Sequence, residues 1–168
     1  MSAFLNIIAD EKGSAIVIAL MILSLLTIVG IAATRTSDSE ISIAGNEVAY
    51  NMVLYDSEGA SVEGALNVEV ADKATLTNRS PLWLYSDTAA PDYTDPATWD
   101  FNDADGDDNA EESSIDEDLA FASVDLGVAP GYSLSMTQKT QVRSYRIFGY
   151  ENTRTGQSLV EVGYKKRF

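Results

Sequence analysis

The sequence contains no cysteine and no histidine. Their absence excludes disulfide bonds, thiol nucleophiles, zinc sites built from thiolate or imidazole, and the usual general base near neutral pH. Basic residues are also few, since 11 lysines and arginines stand against 26 aspartates and glutamates, for a net charge of -15. This charge argues against nonspecific binding to nucleic acid or to an anionic membrane surface. No nucleophile, phosphate-binding loop or metal-activating motif has the context that catalysis requires, and we do not expect an enzyme.

A long apolar run is the first feature that is present. The 168 residues have room for one domain of modest core plus an appendage. Ser14 to Thr34 comprises 21 residues without a charge. As a helix this run would extend ~31 Å, which is enough to cross a bilayer. Its Ile, Leu, Val, Ala and Met side chains must lie in lipid or inside a protein assembly.

An ordinary secretory signal fits this run poorly. Such a signal has a basic start and a shorter apolar core, whereas Asp10, Glu11 and Lys12 precede this run. The one small-residue cleavage pattern, Gly30-Ile31-Ala32, lies near the far end of an overlong core. The run is therefore better interpreted as an anchor or an assembly element.

Helical periodicity continues beyond the run. Apolar or small residues recur at spacings of three and four, at Ile41, Ala44, Val48, Met52, Tyr55, Gly59, Val62 and Leu66. Acidic residues lie off this stripe and no proline interrupts it, so we predict one helix from Ser14 to about Asn67. Its half from 14 to 34 is apolar all round, and its half from 35 to 67 is amphipathic. We expect the stripe to cover a small core.

The N-terminal third resembles a known family. Gly13 followed by a small residue and the apolar run resembles the class III signal of type IV pilin precursors. The steps Ala33-Thr34-Arg35-Thr36-Ser37, Ile43-Ala44-Gly45-Asn46 and Tyr55-Asp56-Ser57-Glu58-Gly59-Ala60 resemble the N-terminal region of PilX-type minor pilins. The resemblance covers residues 11 to about 60.

This resemblance implies a processing event and a set of partners. Residues 1–13 would be a leader peptide, a membrane prepilin peptidase would cut between Gly13 and Ser14, and the new amino terminus would be methylated. The implied partners are the major pilin, other minor pilins and the inner-membrane assembly platform. The implied location is the inner membrane before assembly and the extracellular pilus, or fimbrium, afterwards. Major pilins carry Glu where this chain has Ile18, which indicates a minor subunit.

Residues 68–168 are expected to form a globular head. Alternating patterns predict strands at 132–137, 142–150 and 159–165, with a hairpin loop from Glu151 to Ser158. The predicted fold is α+β and pilin-like, with the long helix packed on an antiparallel C-terminal sheet spanning 132–167.

An acidic loop is predicted at residues 87–125, which hold 14 acids and no lysine or arginine. Within it, FNDADGDDNAEE resembles a damaged calcium loop, in which the candidate ligands are Asp103, Asp105, Asp107, Asn109 and Glu112. A flexible acidic loop without a cation is the alternative. Nearby prolines and aromatic residues suggest a loop that packs, or an adhesive surface.

The sequence therefore predicts a minor pilin of a type IV pilus, which helps to initiate or cap the filament and contributes to adhesion or aggregation. The alternative is a single-span, membrane-anchored periplasmic or surface binding module, with calcium as a possible ligand. Such a module would keep residues 1–13.

Overall fold

The structure is a computed structural model that describes residues 11–79, 81–101, 108–131, 141–153 and 156–168. The chain divides into two compact units, residues 1–47 and 48–168. The described elements, in chain order, are α1 (Glu11–Val70), α2 (Lys73–Asn78), β1 (Leu84–Ser86), a 3-10 turn (Pro96–Thr98), β2 (Glu111–Glu112), β3 (Leu119–Val128), β4 (Val142–Thr153) and β5 (Gly156–Arg167). The α+β class is confirmed, and α1 begins and ends three residues beyond the predicted bounds of 14 and 67.

The sheet is mixed rather than purely antiparallel. Its strand order is β1-β3-β4-β5, and β2 pairs with β3 beside this path. β3 with β4 and β4 with β5 are antiparallel, as predicted, but β1 runs parallel to β3 at the edge. The antiparallel prediction is therefore right for the long strands and wrong for β1.

The C-terminal hairpin is tighter than predicted. Glu151 pairs with Ser158 and Thr153 with Gly156, so residues assigned to the loop belong to β4 and β5. Backbone hydrogen bonding thus continues to the turn, and only residues 154–155 separate the two strands. The predicted strand at 132–137 lies outside the described residues.

Strand β3 was not predicted, although it lies between β1 and β4 in the sheet. Leu119 and Phe121 belong to one hydrophobic cluster, and Ala120, Ala122 and Val124 belong to a second. Alternate residues of a strand point to opposite faces of the sheet, so both faces of β3 are covered. A strand buried on both sides lacks the alternation of apolar and polar residues on which the prediction relied.

The face of α1 that covers the sheet differs from the predicted stripe. Six residues of α1 are buried there: Val53, Ser57, Ala60, Ser61, Gly64 and Val68. Val48 and Ser57 are nine residues apart, which at about 3.6 residues per turn places them on opposite sides of the helix. The predicted stripe instead faces outward, with Met52, Val62 and Leu66 each 60% exposed or more. The prediction that this stripe covers the core is wrong.

The reason is how closely the helix approaches the sheet. A Cβ atom on Gly149 of β4 would lie 2.1 Å from the Ser57 carbonyl oxygen and 2.6 Å from the Ser61 nitrogen. A Cβ on Gly64 would lie 2.8 Å from Ile147 Cγ2. At this separation the larger side chains of the stripe do not fit between helix and sheet. Small residues therefore form the buried face.

The buried hydroxyl groups of this face have hydrogen-bond partners. Ser57 Oγ donates to the Leu54 carbonyl oxygen (2.8 Å), and Ser61 Oγ donates to that of Glu58 (2.7 Å). Ser57 Oγ is also hydrogen-bonded to Ser158 Oγ of β5, at 2.8 Å. The serines thus combine small volume with satisfied polar atoms, which a buried position requires.

A buried lysine holds the C-terminal end of α1. Lys166 Nζ on β5 donates to the carbonyl oxygens of Val68 (2.8 Å), Glu69 (2.6 Å) and Ala71 (2.5 Å). The last turn of a helix exposes unpaired carbonyl groups and the negative end of the helix dipole. One ammonium group satisfies the Val68 and Glu69 carbonyls of the last turn and the Ala71 carbonyl just after it, and ties the helix end to the last strand.

We expect Gly149→Ala to lower the free energy of unfolding by about 3 kcal/mol, because the new methyl group meets helix backbone that cannot rotate away. The measurement is urea denaturation of the full chain in detergent, followed by tryptophan fluorescence. Gly163→Ala on β5 is the matched control, since a Cβ there meets nothing within 4 Å. Equal stability of the two variants would contradict the close approach.

Lys166→Met should destabilise the chain by about 2 to 4 kcal/mol, because it leaves three buried or partly buried carbonyls at the end of α1 without their donor. Arg167→Met, at the exposed neighbouring position, should change stability by about 0.5 kcal/mol or less. Thermal unfolding followed by far-ultraviolet circular dichroism compares the two variants. A Lys166→Met chain as stable as the control would show that the hydrogen bonds from Lys166 do not stabilise the fold.

Candidate assembly and binding surfaces

The apolar half of α1 is exposed throughout. All residues from 14 to 47 are exposed in this chain, including the large side chains Ile18, Leu26 and Val29. Among the described residues, one helix is long and apolar enough to span a membrane, and its apolar window is 0% buried. Apolar surface on this scale is stable only in lipid or against other protein.

The polar side chains within this segment do not disturb its apolar surface. Ser24 Oγ donates to the Met21 carbonyl oxygen (2.8 Å), and Thr27 Oγ1 donates to that of Leu23 (2.8 Å). Hydroxyl groups that bond to the preceding helical turn need no partner from water. The segment can therefore leave water without an unsatisfied hydroxyl at either position.

The exposed stripe is a second apolar surface, defined here as Val48, Met52, Tyr55, Val62 and Leu66 of α1. Each of these side chains is at least 59% exposed. They lie opposite the buried face, while acidic residues such as Glu58 and Glu63 flank them. A solvated apolar row bordered by charge is typical of a surface that another protein covers.

The acidic loop packs on the sheet face opposite α1. Trp99 stacks on Tyr150 at a centroid distance of 4.8 Å, and Tyr93 lies 5.4 Å from Phe148. Trp99 Nε1 donates to the Tyr93 carbonyl oxygen at 3.0 Å, and burial raises the pKa of Tyr93. The described part of the loop is thus held by aromatic contacts, as its composition suggested.

Two of the five predicted calcium ligands, Asn109 and Glu112, lie among the described residues. Asp103, Asp105 and Asp107 lie outside the described residues. Asn109 closes the base of the loop, where its Nδ2 donates to Thr98 O (2.6 Å) and its Oδ1 accepts from Asp100 N (3.2 Å). Glu112 is exposed on β2. Calcium binding therefore stays a prediction.

Acidic and basic parts of the head pair within the chain. Asp125 is buried and accepts from Arg143 through both of its carboxylate oxygens, while Arg79 lies 3.5 Å away. At the surface, Arg146 Nη2 donates to Asp87 Oδ1 at 3.0 Å. These contacts balance part of the acidic charge of the head within the molecule.

Comparison with known families identifies the first part of the chain. The family model described as PilX N-terminal matches residues 12–58. The N-terminal segment is therefore similar to PilX N-terminal domains. The resemblance to PilX-type minor pilins is confirmed for this segment, and no curated protein and no solved structure matches the chain.

The segment that matches this family model contains the first apolar surface whole and the second in part. It includes the apolar half of α1 and the stripe residues Val48, Met52 and Tyr55, and it ends before Val62 and Leu66. The match supports a relation to the minor pilins of type IV pili, a family that suggests association with other pilins. The apolar half of α1 and three of the five stripe residues therefore lie in the part of the chain that matches this family.

Proposed function

We propose that this chain is a minor pilin subunit that assists initiation or capping of a type IV pilus. One observation carries the proposal: the PilX N-terminal domain presents an apolar helix with no charge from Ser14 to Thr34 and with exposed side chains throughout. Such a helix is stable in the inner membrane before assembly and among other pilin helices afterwards. No active site is needed for this role.

Ile18 supports a place at the start of the filament. In major pilins the Glu at this position neutralises the amino terminus of a neighbouring subunit inside the apolar filament core, where an unpaired charge is costly. Ile18 cannot do so, and the described part of the apolar half offers no other carboxylate. A subunit that joins first has no such neighbour to neutralise.

The head supports a role in adhesion or aggregation through its charge. The net charge of the chain is -15, and the described part of its acidic loop is held against the sheet by aromatic contacts. An ordered acidic surface can bind basic surfaces selectively. The partners of the helix in this proposal are the major pilin, other minor pilins and the inner-membrane assembly platform.

Processing provides the first test. We expect mature chain from sheared surface filaments to begin at methylated Ser14, by intact mass and amino-terminal sequencing. Gly13→Val should retain residues 1–13, because a branched side chain hinders the close approach of the peptidase to the backbone. Gly30→Ala, where a Cβ meets nothing within 4 Å, is the control that should still be cut.

An uncut chain confined to membranes in cells with active prepilin peptidase would contradict the proposal. It would favour the single-span anchored binding module.

The exposed stripe provides the second test. Val62→Asn should change the free energy of unfolding by about 0.5 kcal/mol or less, because Val62 is 66% exposed, yet it should reduce recovery in the filament fraction. Leu82→Asn makes a similar change at a head residue that is 57% exposed and off the stripe. Quantitative immunoblots of sheared filaments and membranes compare the variants. Equal recovery of both in filaments would show that the stripe makes no assembly contact.

A further inference from the structure

A cavity in the head lies where α1 passes the ends of β3 and β4. Its volume is about 260 Å³. Its lining residues are Ala49, Met52, Val53, Asp56, Asp116, Asp118, Leu119, Glu151 and Thr153. Four of these are carboxylic acids, and Ala49, Met52, Val53 and Leu119 form apolar walls.

Glu151 is the unusual member of this set. The residue is 5% exposed, and its Oε2 atom has no hydrogen-bond partner among the described residues. β4 places it on the same sheet face as Ile147 and Gly149, which is the face that α1 covers. A buried carboxylate oxygen without a donor is costly, and the cavity is the space from which a donor can reach it.

The groups that face Glu151 add negative charge instead of compensating for it. Burial raises the pKa of this carboxyl group, and Asp56 of α1 raises it further, as do Asp116 and Asp118 of the loop before β3. A hydrogen bond with Thr153 acts in the opposite direction without reversing the shift. The described lining contains no lysine or arginine. The cavity is therefore suited to a positive charge.

The shape and the walls indicate what kind of cation fits. The described acidic residues form no group that could hold a metal ion. Apolar walls beside carboxylates instead match a lysine or arginine side chain, whose aliphatic stem packs on Met52 and Leu119 while its charged end reaches the acids.

We propose that this acidic cavity receives a lysine or arginine side chain from a protein partner. Met52 lines the cavity and also belongs to the exposed stripe, at 60% exposure. A protein that covers the stripe thus passes the mouth of the cavity, and a basic residue beside its apolar contact surface enters it. The cavity consists of this chain's own residues, so the proposal can be tested whether or not the chain is a pilus subunit.

The test uses the full chain in detergent with methyl-labelled methionine and leucine, observed by NMR at neutral pH. The probes are the blocked amino acids N-acetyl-lysine methylamide and N-acetyl-arginine methylamide, and the uncharged N-acetyl-norleucine methylamide is their control. We expect a basic probe to shift the Met52 and Leu119 methyl resonances with a Kd on the order of millimolar, while norleucine does not.

Glu151→Gln should weaken binding about fivefold or more, because it removes the buried carboxylate. The control Glu161→Gln, at an exposed position of β5 outside the cavity lining, should leave the Kd within about twofold. Because the Glu151 pKa is raised, the folded chain holds this proton more tightly than the unfolded chain, and the ionised carboxylate costs stability at higher pH. Glu151→Gln should therefore fold, and Asp56→Asn provides a second variant.

Four outcomes would overturn the proposal. The first is an equal response to norleucine and to both basic probes, and the second is no response to any probe. The third is binding of the basic probes only after Arg154→Gln. This result would mean that an arginine of the chain itself occupies the cavity. Arg154 lies outside the described residues. Calcium chloride that produces the same methyl shifts in the absence of any response to the basic probes would also overturn it, in favour of a metal site.

Discussion

The close approach of α1 to β4 is the constraint on which the other features depend. Gly149 admits the helix backbone at Ser57 and Ser61 to a distance that a single methyl group would prevent. The buried face of the helix must then consist of small residues, and Ser57, Ala60, Ser61 and Gly64 meet this requirement. The larger apolar residues of α1 have no place against the sheet, so they lie on the opposite side as the exposed stripe. The small-residue packing inside the head and the apolar surface on the outside of α1 thus both follow from the short distance between α1 and β4.

Hydrogen bonds hold α1 against the rest of the head, because the small residues of its buried face bury little apolar area. Lys166 holds the last carbonyl groups of α1, and Glu63 accepts hydrogen bonds from Ser113 Oγ and Ser114 N in the loop before β3. Burial raises the pKa of Glu63, but these hydrogen bonds outweigh burial and hold it below its usual value. A small-residue interface contributes limited apolar area, so charge-assisted hydrogen bonds at both edges supply part of the stability.

The sequence predicted where the helix and the long C-terminal strands lie better than which of their faces are buried. The helix was predictable because charge, apolar content and the absence of proline agree over its length. Its orientation was predicted wrongly because Val48, Met52 and Leu66 are more apolar than Ser57 and Gly64, and periodicity ranks a face by apolar content. The short contact at Gly149, which reverses that ranking, joins residues distant in sequence. β3 was missed for a related reason, since Ala120 and Ala122 carry little apolar content and β3 is buried on both sides. The cavity around Glu151 joins three separate segments, and no local pattern indicates it.

On the proposed function, the two apolar surfaces of α1 differ in what they contribute to assembly. From Ser14 to Thr34 the helix is apolar all round, so lipid and a bundle of similar helices solvate it about equally well, and transfer between them yields little hydrophobic free energy. The exposed stripe is different, because the acidic residues beside it keep that part of the helix in water. Covering the stripe removes apolar area from water, at roughly 25 cal/mol for each Å². On the proposed function, the apolar half makes residence in membrane and filament possible, and the stripe supplies the free energy that favours the filament.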